Sequence, residues 1–272
     1  MSAPPLLVAL DLDGTLFGND LKIAPRVAEA VHRTLQANVA VTLVTGRMFV
    51  ATAPFARLLG VNGPVVCYQG AAIYDAPSGT RLQEVPLSSE LARTIVRAAR
   101  SGGYHVQLYR DDRYYVEELN DYSAFYARLA GVEPVLVRSL EETFADSGAT
   151  KCNIVTDPER TERCAALLRE VCGDAAYVTR SNPEFVEVMN ARVDKGTALG
   201  FVAAKLNVPL ERVLAIGDSF NDIPMLEAAG FGVAMGSAPA ELKAVADAVV
   251  GDVAFEGVAE ALERFVPLSV EA

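Results

Sequence analysis

Two aspartates separated by one residue, Asp11 and Asp13, close the segment Leu6-Leu7-Val8-Ala9-Leu10-Asp11-Leu12-Asp13-Gly14-Thr15. Residues two apart on an extended chain point to the same side, so the two carboxyls can converge just past a strand end. One carboxylate can serve as a nucleophile, and a second beside it can move protons. Acids before a glycine are also ordinary turn chemistry, so the meaning of the pair depends on the rest of the chain. Three other groups bear on it: Thr45-Gly46-Arg47, Lys195, and Gly217-Asp218-Ser219-Phe220-Asn221-Asp222. In one cleft, Asp11, Asp13, Asp218 and Asp222 would repel and raise one another's pKa values. A hard divalent cation relieves that repulsion. Mg²⁺ suits oxygen ligands and keeps places for water and phosphate oxygens. The Thr45 hydroxyl, the Lys195 ammonium and a helix N-terminus add donors for an anion. Together these groups describe a site for phosphoryl chemistry.

The elements around them are of the right kind to bring them together. Residues 6–10 form a short apolar run between a proline and a glycine, the mark of a strand buried on both faces. Residues 25–37 read as a helix, with Pro25 in its first turn and Val27, Ala30, Val31 and Leu35 at helical spacing. A second buried strand over 39–44 ends at Thr45, and a helix follows to about Leu59. Short strands at 65–67 and 71–74 continue the alternation, which implies crossover units and a parallel sheet. In such a sheet the carboxyl ends of the strands share one edge, where ligands bind.

The character changes between about 81 and 185. Strands there are shorter and more polar, with a hairpin at 104–109 and 114–116 around Arg110-Asp111-Asp112-Arg113, and helices at 88–100, 120–129 and 158–171. From Asp194 the first style resumes: a helix over 195–206, a strand over 212–216, a helix to about 229, and a strand at 232–234. A helix from Pro239, a strand near 248–250 and a helix over 258–265 close the chain. The expected fold class is therefore α/β, a Rossmann-like core with a parallel sheet plus an inserted α+β cap. The core covers 1–80 and 186–272, and the cap 81–185. Hinges are expected near 76–80 and 182–187, where Pro, Gly and Ser gather.

Bulk properties narrow the chemistry. The 272 residues are 51% hydrophobic and 22% charged, with net charge −11; this is a core-forming composition with no surface suited to nucleic acid or anionic membrane. No apolar run is long enough to span a bilayer. The opening Met1-Ser2-Ala3-Pro4-Pro5 has no basic region of the kind a signal peptide carries. Cys67, Cys152, Cys164 and Cys172 form no Cys-x-x-Cys pair and read as reduced thiols of a cytoplasmic protein. With only His32 and His105, both in packing or surface settings, histidine-based catalysis and a His-rich zinc site are disfavoured. Acid–base work falls to carboxylates. Lys195-Gly196-Thr197 lacks the glycine that a P-loop places before its lysine.

Asp11-Leu12-Asp13-Gly14-Thr15 resembles the first motif of the haloacid dehalogenase superfamily. Thr45, Lys195 and Gly217-Asp218-Ser219-Phe220-Asn221-Asp222 resemble its second, third and fourth motifs, in that order. The insertion between the second and third is similar to the Cof-type branch with a C2 (IIB) cap. The resemblance covers essentially the whole chain. It implies that Asp11 attacks phosphorus to give an aspartyl-phosphate, and that Asp13 protonates the leaving oxygen and then activates water. It implies that Thr45, Gly46 and Lys195 bind phosphoryl oxygens. It also implies that Asp11, Asp13 through its main-chain carbonyl, and Asp218 ligate Mg²⁺, with Asn221 and Asp222 supporting that shell.

A base beside the phosphorylated aspartate favours rapid turnover, hence a phosphatase acting on a small phosphorylated metabolite, a sugar phosphate or a phosphorylated cofactor. A phosphotransferase or sugar phosphomutase is the alternative on the same fold. A non-catalytic sugar-phosphate-binding protein would have no need to keep both Asp11 and Asp13. Cys67-Tyr68-Gln69-Gly70-Ala71 departs from the branch's usual Asn-Gly-Ala, and the longer Gln69 implies a changed contact at the cleft rim. Substrate identity and oligomeric state are not readable from these residues.

Overall fold

The chain enters on β1 (Leu7–Leu10), buried at every position. Leu7 and Ala9 pack on one side of the sheet, Val8 and Leu10 on the other, which is why the run is continuously apolar. The computed structural model describes residues 3–267; residues 1–2 and 268–272, which the expected core ranges include, lie outside the described residues. After β1 come α1 (Pro25–Gln36), β2 (Ala40–Leu43), α2 (Phe49–Leu59), β3 (Pro64–Cys67), β4 (Ala72–Asp75) and β5 (Arg81–Glu84). The insertion follows with α3 (Ser89–Ser101), β6 (His105–Arg110), β7 (Arg113–Val116), α4 (Asp121–Ala130), β8 (Val135–Leu136), α5 (Leu140–Thr143), β9 (Lys151–Val155), α6 (Pro158–Cys172), β10 (Ala176–Thr179) and β11 (Phe185–Asn190). The chain then returns through α7 (Lys195–Lys205), β12 (Val213–Gly217), α8 (Ile223–Ala228), β13 (Phe231–Ala234), α9 (Ala240–Val245), β14 (Ala248–Val249) and α10 (Gly257–Phe265).

The main sheet has the order β14-β13-β12-β1-β2, and all its pairs are parallel. β1 leads one way to β2, and β12 leads the other way to β13. The direction of winding therefore reverses at β1, and the crevice beyond its carboxyl end is the topological switch point where such sheets bind ligands. β3, β4 and β5 form an antiparallel sheet joined to β2 by a Val44–Val66 bridge. The cap sheet, in the order β10-β11-β9-β6-β7-β8, is largely antiparallel. One face of it (Leu108, Cys152, Ile154, Val186, Val188) packs with Ala92, Ile95 and Val96 of α3 and Cys164, Ala165 and Leu168 of α6. The other face carries Tyr109, Lys151, Asn153, Phe185 and Glu187, by the alternation of each strand.

The insertion does not begin and end where the sequence suggested. β5 pairs with β4, so residues 81–84 stay with the first unit, and β11 pairs with β9 and β10 as far as Asn190. Leu87 already bridges to Ala149 in the insertion. The expected hinges at 76–80 and 182–187 fall within or beside antiparallel hairpins, because Gly, Pro and Ser mark tight turns as readily as linkers. The chain crosses between units at 85–86 and 191–194 instead, and Asn190 Nδ2 donates to Pro86 O at 2.9 Å, tying the two crossings together. Cys67, Cys152, Cys164 and Cys172 are free and buried. Among the described residues no helix is long and apolar enough to cross a membrane.

Candidate active site

Asp11 and Asp13 sit directly beyond β1, Thr45 two residues beyond β2, and Asp218 directly beyond β12. Gly14 allows this convergence: its φ is +81°, and a Cβ there would lie 2.1 Å from Asp218 Oδ2. Only glycine fits that backbone and that approach. Lys195 is the first residue of α7, set by an Asp194–Thr197 capping box. Its side chain is buried and donates to Asp11 Oδ1 at 2.6 Å and to Asp222 Oδ1 at 2.5 Å. Burial opposes the ammonium charge, but Asp11 and Asp222 outweigh it and hold Lys195 protonated.

Oxygens of Asp11, Asp218 and Asp222 lie within 4.8 Å of one another. Burial raises the Asp11 pKa; Lys195 opposes this, and Asp222, Asp218 and Asp13 push it further up. Burial and Asp222 push Asp218 up to about 7, against Lys195 and Thr15. Ionised together, the three carboxylates would outweigh the one ammonium in a buried space, and a hard divalent cation fits that donor set. Asp222 is the least free of the three: besides Lys195, it accepts from the backbone N–H of Asp218 at 2.9 Å and of Ser219 at 3.0 Å through Oδ2. It thereby shapes the loop that presents Asp218, which in turn accepts from Thr15 Oγ1 at 3.2 Å.

Thr45 is buried and its hydroxyl accepts from Arg47 N–H at 3.1 Å, which leaves its proton available to an anion. Asp13 is the exposed member of the group. Arg47 grips both its oxygens, Nε to Oδ2 at 2.7 Å and Nη2 to Oδ1 at 2.6 Å, a bidentate geometry of high specificity. The third arm of Arg47 donates to Leu129 O in the cap helix α4 at 3.3 Å.

Sequence reasoning missed the cap's contribution. Lys151 and Glu187 form a fully buried ion pair, and Lys151 also donates to Gly46 O at 2.8 Å. Burial disfavours the Lys151 charge, but Glu187 more than restores it. Gln69 is fully buried, not at a rim: its Nε2 donates to Glu187 Oε2 at 2.5 Å and its Oε1 accepts from Asn221 Nδ2 at 2.9 Å. Asn221 therefore links the Asp218 loop to the cap through Gln69. Tyr126 and Phe185, with ring centroids 5.6 Å apart, line the same cavity as Asp11, Asp13, Thr45, Lys151, Glu187 and Asp218. His105 is a packing residue stacked on Tyr122, and burial lowers its pKa.

The chain is similar to known proteins over nearly its whole length. A family model for haloacid dehalogenase-like hydrolases matches residues 8–262. The pyridoxal phosphate phosphatase YbhA of Escherichia coli is 30% identical over 266 residues, covering 93% of this chain and 96% of that one. An HMP-PP phosphatase of Yersinia pseudotuberculosis is 30% identical over 237 residues, covering 87% and 86%. Among solved structures, a haloacid dehalogenase-like hydrolase from Bacteroides thetaiotaomicron superposes with a TM-score of 0.83 at 29% identity, covering 95% of this chain and 98% of that one.

Proposed function

Because this chain belongs to the haloacid dehalogenase-like hydrolases, we propose that it is a Mg²⁺-dependent phosphatase that cleaves a small phosphorylated metabolite through a covalent phosphate on Asp11. That it is a phosphoric monoester hydrolase of this family follows from the family match and from relatives named as phosphatases. The observation that carries the finer reading is the Lys195 bridge. A buried ammonium within 2.6 Å of Asp11 Oδ1 orients that carboxylate in the cavity that Thr45 also lines.

Asp11 attacks phosphorus, the P–O bond to the leaving alcohol breaks, and Asp13 gives that oxygen a proton. Asp13 then takes a proton from the water that attacks phosphorus and releases Asp11. Thr45, the Gly46 backbone and Lys195 donate to the phosphoryl oxygens. Transfer of Arg47 from Asp13 to a phosphoryl oxygen would free the Asp13 carboxyl for this work. Bound Mg²⁺ would be held by Asp11, Asp218 and the Asp13 carbonyl, with Asp222 and Asn221 behind them, and would neutralise charge developing on phosphorus.

The Tyr126 and Phe185 rings support a ring-bearing phosphorylated cofactor over a sugar phosphate, as does the relative named for pyridoxal phosphate. The Asp13 carboxyl supports hydrolysis over a stable phosphoenzyme. We take residues 85–194 as the cap that reads the leaving group. A screen of phosphorylated cofactors and sugars for phosphate release tests the reading. Release from a phosphorylated cofactor is expected, and accumulation of an isomeric phosphosugar without free phosphate contradicts it.

Two solution results are expected. EDTA abolishes phosphate release and added Mg²⁺ restores it; activity indifferent to chelation contradicts metal dependence. The second concerns pH. Asp218 holds its proton more tightly folded, to about pH 7, than an ordinary carboxyl near 3.8. The metal-free fold therefore loses stability as pH rises through that interval. Mg²⁺ compensates the ionised form, so the rise in Tm on adding Mg²⁺ is larger at pH 8 than at pH 5.5. Equal shifts at both values contradict the charge assignment.

A further inference from the structure

The β6–β7 hairpin reaches from the cap to the core. Arg110 and Arg113 pair directly across it, leaving Asp111 and Asp112 as a two-residue loop with φ of 51° and 57°. Positive φ at both central residues is the type I′ pattern, which favours glycine at the second position. The chain places Asp112 there instead, and its carboxylate is fully used. Oδ2 accepts from the Val50 N–H at 2.7 Å and Oδ1 from the Tyr68 hydroxyl at 2.7 Å.

Val50 is the second residue of α2, whose own N-cap, Met48, makes no side-chain cap. First-turn N–H groups need an outside acceptor, and an anion there is favoured by the helix dipole. Asp112 meets that need from the other domain. α2 follows closely on Thr45-Gly46-Arg47. Tyr68 and Gln69 hold φ of 54° and 58°, a conformation that ordinary side chains keep only when their surroundings enforce it. One cap carboxylate thus grips both core loops that border the candidate phosphate site.

We propose that Asp112 is a positioning residue: by capping α2 from the cap domain, it couples closure of the cap to the placement of Thr45 and Arg47. This rests on the phosphatase reading above. The full-length protein carrying Asp112→Gly keeps a favoured type I′ turn and loses only the carboxylate, whereas Asp112→Asn keeps both the turn and an acceptor. Hydrogen exchange at the Val50 amide is measured with Mg²⁺ and inorganic phosphate present, and kcat and KM with p-nitrophenyl phosphate. Asp112→Gly is expected to lose Val50 protection and about fivefold to tenfold in kcat/KM, with the loss mainly in kcat. Asp112→Asn recovers most of both. Unchanged Val50 protection in Asp112→Gly overturns the proposal, as does lost protection with kcat/KM at the wild-type value. A wild-type protein that releases no phosphate overturns the phosphatase reading, while the exchange comparison still decides whether Asp112 caps α2.

Discussion

Asp11→Asn is expected to lower turnover of p-nitrophenyl phosphate by at least ~10³-fold and to leave the metal-free fold as stable as before, or more so. The amide keeps the size of the carboxyl but is a far poorer nucleophile. Its effect on stability follows from the local charge. Asp11, Asp218 and Asp222 crowd within 4.8 Å, and burial and mutual repulsion hold Asp11 well above the ordinary carboxylate range. Neutralising one of the three relieves repulsion, while Lys195 retains Asp222 at 2.5 Å. Loss of activity with a maintained or raised Tm is the combination expected of a residue placed for chemistry at some expense to stability. Thermal unfolding without metal, run beside the kinetic assay, checks both halves. Near-wild-type turnover rejects Asp11 as nucleophile, and a sharply lowered Tm rejects the charge argument.

Lys195→Met is expected to fail in the opposite way, losing activity and stability together. Methionine fills a similar volume but brings no charge. The substitution leaves Asp11 and Asp222 buried without their shared cation, and breaking a buried pair by removing one partner costs about 3–5 kcal/mol. Lost phosphoryl binding adds on the order of 10²-fold in kcat. Mg²⁺ takes over part of the neutralisation, so the Tm deficit of this variant narrows more on adding Mg²⁺ than the wild-type Tm rises. Thermal unfolding with and without Mg²⁺ measures this. A deficit unaffected by Mg²⁺ would show that Lys195 and the metal do not share the same carboxylates.

The core was legible because its signals are local. The apolar run 6–10 marked a doubly buried strand, which the fold realises over Leu7–Leu10 with Leu6 left exposed, and the ends of β1, β2 and β12 share an edge. Asp11, Thr45 and Asp218 therefore meet although far apart in sequence. Lys195 was readable as a helix start, and the Asp194–Thr197 capping box fixes it there. The cap was harder. Lys151 in Lys-Cys-Asn-Ile-Val and Glu187 in Phe-Val-Glu-Val-Met-Asn look like the outward residues of half-exposed strands. They face the core because a second unit covers that side, a non-local fact. Their opposite charges on neighbouring strands were the one available clue. The domain limits were misplaced for a similar reason, since a hairpin turn and a linker share a composition. Gln69 was flagged by its departure from Asn-Gly-Ala, but its reach to Glu187 needed β11 in place.

If Asp11 carries the phosphoryl group, the covalent phosphate can be trapped there. Asp13→Asn should slow loss of that group, so the variant is incubated with Mg²⁺ and ³²P-labelled phosphoester, quenched in acid, and reduced with borohydride, which converts an aspartyl-phosphate to homoserine. Label on the protein before reduction and homoserine at position 11 after it are expected. Phosphate release with no label retained on the protein, or reduction at any other carboxyl, would contradict phosphorylation of Asp11.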